Sequence, residues 1–525
     1  MFKTLSNDTK FRIYLSLLAL IGLIFILLTT SKYGAGVSSD AARNLSTADS
    51  LLAGRGFVDM LGGPFILWPP LYPLLLAGLS LITKWNTFQV AWYLNLVLYP
   101  LNIWLSGWFL HEIFKEKVIY AVVGALIILL SRSTVRIYAN VASEPLFATF
   151  MLLSFFAAAR YLRDGSTGAL WLMFLTAGLA TLQRYLGMVL IGVAGLVVLV
   201  KYGLPGLWKA LAPILLSIIP VSLWMLFHNY PISGTLFGPR DLGAMLPLEN
   251  ISLSLTKIFW WFIPRISFLD PLLLHPWIIL VVIVLLLVLL NKKADWLNWL
   301  TALSNISFWP ALVFSIFYYF LLAFTVVTAD HLDLTSDRYY VVILPVVLAL
   351  LFITLDKLIF IRLNLGNRSV YFAIAALASV WFVYPIYSLQ AYLRQALELG
   401  EPTNYNIANS EQFREMSVVK AAQPILDKAP GALVYSNYTN IVWFLYRHPV
   451  EVLPFEDASL PSDQRLAALK KNYPAWPSQS GYIIWFTPNQ YHHIVAPNEL
   501  FTISDLQLLY KDKTGEVYFV QAAKP

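Results

Sequence analysis

VSSDAARNLSTADSLLAGRGFVDMLGGPFILWPPLY, residues 37–72, follows a long apolar run and carries the first acids after it. Its opening reads as an amphipathic helix: Ser38 or Ser39 can cap a helix that places Asp40 in the first turn, where amide donors and the helix dipole favour the ionised carboxylate. Such a carboxylate can take a proton from a hydroxyl; equally, it is an ordinary helix-start acid. Asp49, nine residues on, falls near the opposite helical face, so the two acids do not form a pair across one bond, and Asp49 reads as structural. The run 69–83 is too short to span a bilayer and follows a proline pair, so it is expected to be interfacial or re-entrant.

Around this insert lies a membrane protein. Hydrophobic residues make up 58 % of the 525 and charged ones only 12 %, and the mean hydropathy is +0.67, against a charged share of about 25 % in soluble chains. Apolar runs near 11–31, 88–110, 117–133, 144–163, 168–183, 185–202, 208–228, 273–291, 304–328, 338–356 and 369–390 predict about eleven spans. The formal charge of +7 sits beside these spans rather than in a basic stripe, so topology explains it and nucleic acid is not an expected partner. Lys3, Lys10 and Arg12, then segments 111–117, 160–164, 201–209, 291–295 and 356–368 hold most loop Lys and Arg. The positive-inside rule puts them in the cytoplasm, the amino terminus inside and the carboxyl terminus outside. The first run is as long as a span and has no cleavage site, so it is expected to be retained. Without cysteine, disulfides and thiolate metal sites play no part.

From about residue 393 the polar residues return and apolar runs shrink to strand length. GALVYSN, VEVLP, GYIIWFT, LQLLY and EVYFV read as strands, and 410–428 and 461–471 as helices. The expected organisation is a transmembrane region, 1–392, with outer-loop helices at 37–83, and a small extracytoplasmic α/β domain, 393–525.

With this topology the polar residues of the membrane region gather at one face: Asp40, Arg43, Asp49 and Arg55; Arg132, Arg136 and Glu144; Arg184 and Tyr185; Arg240 and Asp241; and Asp330, His331, Asp333, Asp337 and Arg338. One-sided charge favours an outer cleft over a central transport path. Glu144 precedes Pro145 and serves equally as a first-turn acid or a substrate contact. Arg184, with almost no loop around it, must snorkel or bind an anion, and Arg240 and Arg338 carry the same ambiguity. Converging guanidiniums suit a phosphate. His331 with Asp330 and Asp333 makes at best a weak metal site; a solvated loop is the simpler reading.

The order of Asp40, Ala48 and Gly54, PPLYPLLLA (69–77, containing Tyr72), SEPLF (143–147), QRYLG (183–187), NYPISGTLFGPR (229–240) and DRYYVVILP (337–345) resembles the GT-C superfamily of membrane glycosyltransferases. The likeness is to bacterial relatives of the protein O-mannosyltransferases and the lipid A aminoarabinose transferase, and it covers roughly residues 10–390. It implies a GT-C fold and a hexosyl- or pentosyl-type transferase in a cell membrane, by expectation the bacterial inner membrane. The sugar would pass from a polyprenyl-phosphate donor to a glycan, lipid or protein hydroxyl, with inversion and with neither cofactor nor essential metal. The resemblance implies Asp40 as base; Arg184, Tyr185, Arg240, Arg338, Glu144 and Tyr72 are expected to bind substrate. Ala41 and Asn44 stand where many relatives have Glu and an aromatic, and Trp68 stands where a phosphate-binding Lys often precedes the proline pair. Phosphate binding is therefore expected from the arginines. A lipid-linked glycan ligase or polymerase, a transporter and an assembly protein are the other readings.

Overall fold

A computed structural model describes residues 6–115, 117–239, 248–263, 276–327, 336–363, 368–400, 407–489 and 491–523. The amino-terminal half is a helical bundle. Helix α1 (Asn7–Thr29), capped by the Ser6 hydroxyl, is followed by α2 (Ser39–Leu52), α3 (Leu71–Thr83), α4 (Thr87–Ile113), α5 (Val118–Leu130) and α6 (Arg132–Tyr138). Then come α7 (Glu144–Asp164), α8 (Thr167–Gln183), α9 (Met188–Lys209) and α10 (Leu211–Trp224).

Six helical runs are long and apolar enough to cross a membrane among the described residues: Asp8–Thr29, Glu144–Asp164, Tyr185–Lys209, Leu211–Ser233, Asp337–Arg362 and Arg368–Leu399. A seventh follows if α5 and α6, bent by 63° at their junction, count as one. The protein is thus a polytopic helical membrane protein. Among the described residues every run read as a span overlaps a helix, but Thr167–Gln183, Ile278–Leu290 and Trp309–Thr325 are shorter apolar helices and α4 is not among the six, so eleven spans goes beyond what helix length and composition establish. α3, about 20 Å long at 1.5 Å per residue, is well short of the roughly 30 Å hydrocarbon core.

Polar side chains join the helices where backbone groups are freed. The break at Ser131 interrupts the α5 ladder, and the Tyr99 hydroxyl of α4 donates to the Leu129 carbonyl (3.1 Å). Asn102, also on α4, donates to the Pro145 carbonyl (3.0 Å) and the Thr149 hydroxyl (2.9 Å) at the start of α7. In an apolar medium such bonds hold a crossing that hydrophobicity cannot.

The segments read as strands form a five-stranded sheet of order β2-β1-β3-β5-β4, with β1 Leu433–Ser436, β2 Val450–Val452, β3 Gly481–Phe486, β4 Leu506–Asp512 and β5 Gly515–Val520. β1 lies parallel to β2 and β3, while β5 is antiparallel to β3 and β4. Side chains alternate across the pleat. Leu433, Tyr435, Ile483 and Trp485 face a core with Leu469. Val434, Ile484 and Phe486 face the other way, into a core that also contains Ala41, Ala42, Leu45 and Ala48 of α2 and Tyr72 and Leu76 of α3. The apolar stripe of α2 is therefore covered from two sides, by the bundle and by the sheet layer.

Candidate active site

Ser38 caps α2: its hydroxyl accepts from the Ala41 N–H (3.3 Å). This leaves Asp40 in the first turn, half-buried, with its carboxylate off the covered stripe. Arg338 Nη1 lies 3.0 Å from Asp40 Oδ2. On its other side, Arg338 Nε is 3.9 Å from Glu144 Oε1, and the same oxygen is 2.7 Å from Arg184 Nη1. The last contact is an ion pair by distance, without the alignment of a hydrogen bond. Arg184 Nη1 also donates to the Ser143 hydroxyl (2.9 Å). Four charges brought from four separate stretches thus form one alternating chain, Asp40, Arg338, Glu144, Arg184.

Local breaks in helices place each member. Arg184 follows the last residue of α8 in an extended conformation (φ −152°, ψ 133°), and a 3₁₀ turn, Tyr185–Gly187, leads into α9. Gly187 is required there, since a Cβ would run into the backbone of Ala180 and Thr181. Glu144 opens α7 ahead of Pro145 and is almost fully buried. Arg338 sits in the 3₁₀ turn Asp337–Tyr339. Neighbouring Asp337 is fixed by Arg136 Nη2 (2.6 Å) and by the Ser133 hydroxyl of α6.

The Tyr339 ring stands between the cations, 4.7 Å from the Arg338 guanidinium and 5.6 Å from that of Arg184. Its hydroxyl accepts from Arg338 Nη2 (2.7 Å), and its carbonyl accepts from the Tyr318 hydroxyl (2.9 Å). Stacking of this kind fixes guanidiniums without neutralising them. Tyr72 is buried with its hydroxyl unpartnered, within reach of the Glu144 charge.

Of the residues singled out in the sequence, Asp40, Glu144, Arg184 and Arg338 come together, and Tyr72 lies beside them. The Tyr185 hydroxyl instead accepts from Trp224 Nε1 (3.2 Å) and Asn229 Nδ2 (2.8 Å). The five-residue π turn Met225–Asn229 carries Asn229, so Tyr185 braces the Arg184 turn against α10. Arg240, Asp241, Asp330, His331 and Asp333 lie outside the described residues. Arg43, one turn on from Asp40, pairs with Asp59 (2.5 Å) and stacks on Trp68 (5.9 Å). Asp49 accepts from the Thr87 hydroxyl (2.7 Å) and pairs with Arg447 (3.3 Å), a structural tie. Burial pushes its carboxyl above the usual range against the pull of Thr87, Arg447 and Arg55. Tyr339 and Ser143 were not singled out; both adjoin an ionic residue, and that adjacency was the available signal.

The fold is that of the GT-C glycosyltransferases. The chain is similar to ArnT from Cupriavidus metallidurans in the apo state, at 15 % identity and a TM-score of 0.56 over 98 % of each chain. It is similar to the same protein bound to undecaprenyl phosphate, at 13 % identity and a TM-score of 0.55 over 96 % of this chain and 97 % of that one. It also resembles the archaeal oligosaccharyltransferase AglB from Archaeoglobus fulgidus in complex with an inhibitory peptide and a dolichol-phosphate, at 13 % identity and a TM-score of 0.55 over 98 % of this chain and 74 % of that one. Neither a family model nor a curated protein matches the sequence.

Proposed function

We propose that the protein is a glycosyltransferase that moves a sugar from a polyprenyl-phosphate donor to an acceptor hydroxyl at the outer face of a membrane. The observation that carries this reading is the chain Asp40, Arg338, Glu144, Arg184, in which a first-turn carboxylate pairs with one of two guanidiniums that face the same buried acid. The fold adds support, since the similar ArnT and AglB structures hold undecaprenyl phosphate and dolichol-phosphate.

Asp40 takes the proton of the acceptor hydroxyl as that oxygen attacks the anomeric carbon. The bond from the anomeric carbon to the phosphate oxygen breaks, and its electron pair leaves with the lipid phosphate. Arg338 and Arg184 receive the developing charge. One displacement gives inversion, and the proton passes from Asp40 to water. Hydrophobic helix surfaces hold the polyprenyl tail. Under this reading the chain crosses a bacterial inner membrane about eleven times with its amino terminus in the cytoplasm, and residues 393–525 form an extracytoplasmic α/β domain. The sugar is of the hexose or pentose type.

A second reading, transfer of a lipid-linked oligosaccharide, is supported by the equal likeness to an oligosaccharyltransferase. Purified protein in detergent, given radiolabelled polyprenyl-phosphate monosaccharides and pyrophosphate-linked oligosaccharides with envelope acceptors, separates the two. Label passing from a monophosphate donor with wild type but not with Asp40→Asn is the expected result. Transfer only from pyrophosphate-linked oligosaccharide favours the second reading, and transfer from neither class defeats both.

A further inference from the structure

The segment leading into α2 is bonded along both of its edges. On one edge the Gly36 N–H donates to the Ala139 carbonyl, and the Gly36 carbonyl accepts from the Val141 N–H, each at 2.9 Å. This edge ties the start of α2 to the turn that precedes Glu144. On the other edge the Val37 carbonyl accepts from the Ala408 N–H (2.9 Å), and the Val37 N–H donates to Asn409 Oδ1 (3.0 Å). Asn409 Nδ2 donates to the carbonyls of Tyr33 (3.1 Å) and Ala35. One buried amide, 2 % exposed, therefore satisfies three backbone groups between Tyr33 and Val37.

Its neighbours grip the same segment. Lys32 pairs with Glu411 and donates to the Glu398 carbonyl (2.5 Å). The Tyr33 ring lies beside the Arg414 guanidinium at 5.2 Å. Gly400 (φ +78°) lets the chain pass that ring where a Cβ would stand 2.6 Å from it. Only Ser38 and Ser39 separate Val37 from Asp40.

We infer that Asn409 is a positioning residue for Asp40: by holding Tyr33, Ala35 and Val37 it sets where α2 begins, and so where the carboxylate meets Arg338 and the acceptor. This inference rests on the proposed transfer reaction. A buried amide that serves two carbonyls and one N–H is specific in chemistry as well as shape. Aspartate would keep the acceptor for Val37 but turn an oxygen toward two carbonyls, while alanine would leave all three groups unsatisfied. A displacement of about 1 Å at a reacting group costs on the order of 100-fold in rate.

The test uses the full-length protein in detergent, comparing wild type, Asn409→Asp and Asn409→Ala by amide hydrogen exchange and by steady-state transfer. The expected result is exchange raised about tenfold or more in residues 36–44 with β1 and β3 unchanged, and kcat lowered about 100-fold with donor KM within about threefold. Unchanged exchange in 36–44, exchange rising equally in the sheet, or a wild-type kcat in both variants each overturns the proposal. A wild type inert on every donor counts against the transfer reading, while the exchange comparison still reads the grip on residues 36–44.

Discussion

Arg338 Nη1 lies 3.0 Å from Asp40 Oδ2, so the carboxylate assigned as base is engaged by a cation that also faces the acid Glu144. Both partners are partly open to solvent, with side-chain exposures of 35 % and 40 %, so the pair can be exchanged without stranding a buried charge. Under the proposed transfer reaction an arriving phosphate would compete with Asp40 for Arg338, and binding the donor would release the base. Two roles for Arg338 then predict opposite outcomes. If it stabilises the departing phosphate, Arg338→Gln lowers kcat by about 10²–10³ and raises donor KM, even though Asp40 is freed. If it only masks Asp40, the same change raises the rate. Steady-state transfer at saturating acceptor decides between them, and loss is the expected result.

Arg184 and Glu144 are far more enclosed, with side chains 17 % and 5 % exposed. Removing one charge of a buried pair costs up to about 3–5 kcal/mol, because Glu144 then keeps only the longer contact to Arg338 (3.9 Å), whereas removing both is much milder. Arg184→Gln alone should therefore lower the melting temperature in detergent sharply, and Glu144→Gln in that background should restore most of it. Additive losses in the double variant would show that the two side chains act independently.

Asp49 supplies a pH dependence of stability. Burial raises its carboxyl pKa above the usual value, so the folded protein holds this proton more tightly than the unfolded chain does. Ionising Asp49 then costs the folded state, and that cost is fully present above the raised pKa and relieved as the pH falls through it toward the ordinary value. Asp49→Asn keeps an oxygen for Thr87 and removes the ionisation. Its melting temperature relative to wild type should rise between about pH 4 and pH 7; a constant or falling difference would contradict the assignment.

Hydrophobic run length was enough to place the helices, because a chain in lipid must satisfy its backbone within each segment. It was not enough to count the crossings, since α8, Ile278–Leu290 and Trp309–Thr325 are apolar but short, and α4 is long but not among the apolar spans. The strands were legible from β-branched and aromatic runs bounded by turns. In the site, Asp40, Glu144, Arg184 and Arg338 stood out as charges at helix starts and breaks, where a membrane protein keeps few. The order of their contacts did not, because one oxygen of Glu144 serving two arginines is a tertiary fact. Tyr185 was drawn in by its neighbour Arg184, yet the π turn at Met225–Asn229 brings Trp224 and Asn229 to its hydroxyl instead. Asn409 left no trace in the sequence, being one amide among the many polar residues after 393.

The bond from Val37 to Asn409 joins residues 372 positions apart. During synthesis the carboxylate of Asp40 leaves the ribosome early, while the side chain that anchors its helix comes after the last membrane helix. A nascent or prematurely terminated chain would carry the acid and the arginines but not the clamp that aligns them. If Asn409 positions Asp40, the order of translation withholds a finished site from the growing polypeptide until the segment carrying Asn409 has been made.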